Sequence, residues 1–194
     1  MNQAKGPGPD RHGNFLLSVL VLALSTAAGC QPPLPSSETI PLSQGWEFRR
    51  AEGSPESRVP PRLMDSLSAW LPASVPGTVH TDLLSNGLIP DPFWGANELR
   101  LQWIGEEDWT YRTTFQGSPG LLEPEVVDLV FHGLDTFAEV YLNGQFLLNA
   151  DNMFRVWSVD VTDRIQAGEN LLEVRLRSPL PIASAARDAL PYEL

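Results

Sequence analysis

Three acidic side chains in a row, Glu106-Glu107-Asp108, form the tightest group of carboxylates in this 194-residue sequence. Paired carboxyl groups are simple machinery for general acid and base catalysis, but each must face the reacting bond from its own side. Adjacent residues just ahead of a strand read instead as a solvated loop, so no catalytic residue is assigned. His12, His80 and His132 lack metal-ligand spacing and Cys30 is the single cysteine, so neither a metal nor a cofactor is expected and no internal disulfide can form. The chemistry-bearing side chains concentrate between Pro76 and Phe115, which hold three of the six tryptophans. Pro90 and Pro92 flank Asp91 and force an extended, turning backbone, and Gly95 permits a close approach ahead of Asn97 and Glu98. This is a rigid aromatic loop with polar tips.

The elements that must hold such a loop read as strands. Trp46 to Arg49 alternates apolar and polar, and Leu71 to Val75 is a second strand that enters the Pro76-Gly77 turn. Thr78 caps a helix over Val79 to Ser85, with Gly87 where it ends. From Trp109 the pattern is β almost throughout: Trp109, Tyr111, Thr113 and Phe115 share one face, and Val127 to Phe131 follows. Asn143-Gly144 sits between Phe137 to Leu142 and Gln145 to Leu148, a strong hairpin signal. Phe154 to Val161 and Leu171 to Arg177 complete the set. The expected fold is all-β, an antiparallel β-sandwich of jelly-roll type with one short helix. Ile182 to Leu190 is alanine-rich and helix-compatible.

Asp plus Glu outnumber Lys plus Arg by 24 to 13, for a net charge of -11. That balance argues against nucleic acid, whose binding needs phosphate neutralisation. Lys5 and Arg11 precede the apolar run Phe15 to Leu24, which is too short to span a bilayer, and Ala27-Ala28-Gly29 follow. Residues 1–29 therefore read as a secretory signal peptide. Cys30 falls where a bacterial lipobox places its acylated cysteine, although Ala27 stands where leucine is usual. Residues 30–39, rich in proline and serine, read as a tether, and 40–194 as the folded domain. The expectation is an exported, envelope-located lipoprotein whose only membrane contact is its lipid anchor.

The order Pro76-Gly77-x-Val79-His80, Asp91-Pro92-Phe93-x-Gly95-x-Asn97-Glu98, Trp103-Ile104 and Asp108-Trp109-x-Tyr111-Arg112 resembles the amino-terminal sandwich domain of β-mannosidases of glycoside hydrolase family two. Further matches, at Phe131 to Gly144, Asp151 to Phe154 and Asp160 to Pro179, carry the resemblance from about Leu42 to Leu194. It implies a retaining exo-glycosidase of terminal β-D-mannose residues whose two catalytic glutamates lie on a (β/α)8 barrel, which takes about 250 residues. No such barrel is present here, so the β-mannoside substrate is expected to be met through a missing domain and the chain alone is expected to be inactive. The tryptophan-rich segment found late in the family's domain also has no counterpart, which suggests a truncated sandwich.

By the same resemblance the domain lends residues to the rim of the substrate pocket. Trp94 and Asn97 are the leading candidates, Glu98 and Asp135 weaker ones. An indole stacks on the apolar face of a pyranose and an amide both donates to and accepts from sugar hydroxyls. Alternatively Trp94 packs against a neighbouring domain and Asn97 caps a helix through Gln102. A stand-alone carbohydrate-binding lipoprotein and a non-catalytic interaction remnant are the competing functional readings.

Overall fold

The computed structural model describes residues 39–52, 58–123 and 126–191, and Ile40–Leu194 make one compact unit. The expected signal segment, Cys30 and most of the expected tether lie outside the described residues. Strands β1 (Glu47–Arg50), β2 (Leu71–Pro72), β3 (Trp109–Gly117), β5 (Phe137–Leu142), β6 (Gln145–Ala150) and β8 (Gly168–Arg177) form a six-stranded antiparallel sheet in the order β2-β1-β3-β8-β5-β6, while β4 (Asp128–Phe131) pairs with β7 (Trp157–Asp160) in a second sheet.

Alternation decides which way each strand faces. One row across the large sheet runs Phe48, Tyr111, Val174, Val140, Leu148, and the next runs Glu47, Arg112, Glu173, Tyr141, Phe146. The first row is the core row: Phe48 and Val140 are fully buried, and Phe48 lies against Tyr111 and Trp109 at centroid distances of 5.6 and 5.9 Å. Side chains alternate between faces with period two, so the charged row takes the outward face.

The expectation of a single helix is corrected. Besides α2 (Val79–Ser85), the chain forms α1 (Met64–Ser68), α3 (Asn97–Arg100), α4 (Trp103–Glu106), α5 (Pro119–Leu122) and α6 (Pro179–Asp188), the last overlapping the alanine-rich segment read as helix-compatible. The layer facing the core row is consequently mixed. Leu67 of α1, Leu83 of α2 and Trp103 and Ile104 of α4 join the same core as Phe48 and Trp109, and Leu129, Phe131 and Trp157 of the small sheet pack against it half-buried. Four-residue helices are too short to show a 3.6-residue period, so the sequence pattern does not reveal them.

Polar ties fix this layer. Thr78 and Thr81 make a reciprocal capping box at the start of α2, and Gly87 takes a φ of 68° just past its end, as the sequence suggests. Asp82, buried in α2, accepts from the Ser74 backbone at 2.9 Å and from the Tyr111 hydroxyl at 2.8 Å. Burial and the adjacent Asp82 carboxylate push the Tyr111 pKa far above the ordinary tyrosine value. β2 stops at Pro72, earlier than the expected Val75, because Ser74 has given its N–H to Asp82 instead of to a neighbouring strand.

The acidic trio is not a solvated loop. Glu107 is 3% exposed and accepts from Arg50 Nε at 2.5 Å and from the Arg58 backbone at 3.0 Å. Asp108 accepts from the Ser178 backbone at 2.6 Å, tying the end of β8 to the start of β3. Glu106 pairs with Arg58 at 2.9 Å. The trio therefore fastens the chain where it enters β3.

Candidate functional site

The loop ahead of β3 is anchored at both ends by buried side chains, Ile89 on one side and Leu101 on the other. Between them Asp91 organises the backbone. Its carboxylate accepts from the Phe93 N–H at 2.9 Å, and its carbonyl accepts from the Trp94 N–H at 3.2 Å and from Asn97 Nδ2 at 2.8 Å. A short polar side chain that captures the backbone two residues on makes a turn of this kind, and Gly95 continues it with a φ of 61°. The turn drives Phe93 and Trp94 outward: they are 97% and 77% exposed.

Asn97 behaves differently from Trp94. It is 8% exposed and its amide nitrogen is used on the Asp91 carbonyl. It is also the first residue of α3 rather than its cap, which is Ala96 and makes no side-chain bond, so the helix-cap alternative is corrected. Its side chain holds the loop closed. Glu98 is exposed, and its backbone carbonyl accepts from Gln102 Nε2 at 3.0 Å. Asp135 is exposed on the β4–β5 connection and accepts from the Thr136 hydroxyl. Trp94, Asn97 and Glu98 thus share one loop, whereas among the described residues no hydrogen bond joins Asp135 to it. The described residues hold no His, Cys, Asp and Glu cluster suited to a metal, and none of their helices is long and apolar enough to cross a membrane.

A second loop repeats the device. Asn152 accepts from the Phe154 N–H at 2.9 Å through its side chain, and through its carbonyl from Arg155 at 3.5 Å and from Trp157 Nε1 at 3.3 Å. Phe154 is 88% exposed, and β7 begins only at Trp157, so the expected strand from Phe154 is corrected. The signal was present in both places, an Asx residue two positions before a phenylalanine, but alternation alone masks it. The two loops leave the same end of the large sheet. Trp109, Leu176, Ala138 and Ala150 are register partners across it, with one loop's segment running into Trp109 and the other leaving from Ala150.

The glycosyl hydrolase 2 galactose-binding domain-like family matches residues 46–194. The chain belongs to this family. As a member of it, the chain is 46% identical over 140 residues to β-mannosidase B of Thermothelomyces thermophilus, covering 72% of this chain and 15% of that protein. The solved β-D-mannosidase of Dictyoglomus thermophilum is 43% identical with a TM-score of 0.68, covering 78% of this chain and 17% of that one. An exo-chitosanase of Amycolatopsis orientalis, 23% identical with a TM-score of 0.58 over 73% of this chain and 17% of its own, shares the fold. The chain therefore spans about 15% of the length of the curated β-mannosidases it matches.

Proposed function

We propose that this chain is the amino-terminal, non-catalytic domain of an exported β-mannosidase-type glycoside hydrolase that in its whole form hydrolyses terminal β-D-mannose residues. The observation that carries the reading is the outward indole of Trp94 on a loop held by Asp91 and Asn97, in a chain so similar to two β-mannosidases. An apolar ring offered on a fixed turn suits the apolar face of a pyranose. In this reading a companion (β/α)8 domain supplies both catalytic carboxylates, Trp94 forms part of the pocket rim with Glu98 and Asp135 nearby, and Asn97 positions the loop. The jelly-roll sandwich expected of the domain belongs to the same reading.

Two measurements test it. The nucleotide sequence beyond codon 194 is expected to continue in frame into a barrel-encoding segment; a stop codon there counts against the whole-enzyme reading. The 194-residue chain is expected to release no 4-nitrophenol from 4-nitrophenyl β-D-mannopyranoside. Export and anchoring at Cys30 rest on the charged and apolar leader, and Cys30→Ser is expected to move the protein from the membrane fraction to the soluble one.

A further inference from the structure

The outward face of the large sheet carries a cleft of about 450 Å³ where β1, β3 and β8 meet, lined by Gly45, Glu47, Arg112, Thr114, Glu169 and Leu171 among others. Its size falls within the ~300–1,000 Å³ of ordinary small-molecule sites. Thr114 lies five residues along β3 from Trp109, which at ~3.4 Å per residue sets it ~17 Å from the sheet end that carries the loops.

The cleft holds one rigidly fixed donor. Arg112 donates through Nε and Nη2 to the same oxygen, Glu47 Oε2, at 2.9 and 2.8 Å, and its guanidinium carbon lies 3.9 Å from the centre of the Trp70 ring. Arg49 stacks on the same indole at 4.5 Å. A guanidinium held both by a carboxylate and by a ring face has little freedom left to lose when a ligand arrives. Hydrogen-bonding capacity remains around it. Among the described residues Arg112 Nη1, Glu47 Oε1, the Thr114 hydroxyl and the Glu169 carboxylate have no recorded partner.

The chemistry of this set selects the ligand. Glu47 and Glu169 against Arg112 leave the cleft with an excess of negative charge, and the whole chain carries -11, so an anionic ligand is repelled. A purely cationic ligand would leave the guanidinium and hydroxyl donors unused. A polyol uses both kinds of group: its hydroxyls donate to the carboxylates while its oxygens accept from Arg112 and Thr114. Half-buried Leu171 adds an apolar contact. We propose that this cleft binds one pyranose ring of a neutral saccharide, at a site separate from the Trp94 loop. This inference goes beyond the β-mannosidase reading and does not depend on it.

Nitrogen-15 NMR of the full 194-residue chain, titrated with mannobiose, cellobiose and lactose, tests it. At least one sugar is expected to shift the amide signals of Gly45, Thr113, Thr114 and Leu171 with a dissociation constant of about 1 mM. The double change Thr114→Val with Glu169→Ala is expected to weaken binding at least about tenfold, with Glu169→Ala alone as the milder variant if the pair does not fold. Trp94→Ala is expected to leave the cleft signals and their affinity unchanged. Silence at the four amides with all three sugars overturns the proposal, as does full-strength binding by a folded cleft variant. Shifts confined to residues 90–100 would overturn it too, while leaving the Trp94 reading intact.

Discussion

Trp94 and Asn97 are three residues apart, yet one side chain is turned outward and the other is spent inside the loop. Removing the Trp94 indole takes little from the fold because the ring is mostly solvated, so Trp94→Ala should change unfolding free energy by less than ~0.5 kcal/mol. Asn97→Ala removes the tie to the Asp91 carbonyl and should cost ~1 kcal/mol in thermal unfolding. A hydrogen-bonding role in the loop and a sugar-contact role are thus separable by calorimetry. The motif Asp-Pro-Phe-x-Gly-x-Asn-Glu made both residues conspicuous in the sequence. Their opposite orientations were not legible, because the Asp91 carbonyl that captures Asn97 is a backbone group and leaves no mark on composition. Glu107 was misread for a related reason: its partner Arg50 lies 57 residues earlier, and no local pattern reports a tertiary ion pair. Glu107→Ala leaves the half-buried Arg50 without this partner and should destabilise by ~1.5–3 kcal/mol, read from denaturant unfolding.

At the scale of elements, the best-read features were those with local chemistry. The Asn143-Gly144 turn has φ values of 53° and 75°, which an asparagine followed by a glycine tolerates. Helix α2 matched from its Thr78 cap to Gly87 because both ends carry their own signals. Elements without end signals were missed, α4 above all. The strand expected from Phe154 failed because Asn152 competes for the backbone. The α2–β3 contact also predicts a pH response. Tyr111 keeps its proton in the folded state to well above the pH at which an unfolded tyrosine, with a pKa near ~10, releases it. The unfolded chain then binds fewer protons than the folded one, so stability should fall as pH rises above ~10. Tyr111→Phe should flatten that decline in melting temperature between pH 9 and 11, at a cost of ~1–3 kcal/mol near neutrality, because Asp82 loses a buried donor. An equally steep decline in the variant would exclude Tyr111 as its source.

At the scale of the described domain, the sheet order, the mixed facing layer and the two loops at one end make a scaffold that turns Phe93, Trp94 and Phe154 outward. Spaced motifs pointed to the β-mannosidase domain before any geometry was known. The extent of helix in the facing layer was not legible, since core membership of Leu67, Leu83 and Trp103 depends on contacts with strands far away in sequence. The most direct measurement is kcat/KM for a β-mannoside in the proposed full-length enzyme, wild type against Trp94→Ala. A fall of ~10- to 100-fold with an unchanged melting temperature is expected, equivalent to ~1.5–3 kcal/mol of aromatic burial lost in the transition state. An unchanged kcat/KM would contradict the placement of this loop at the substrate pocket.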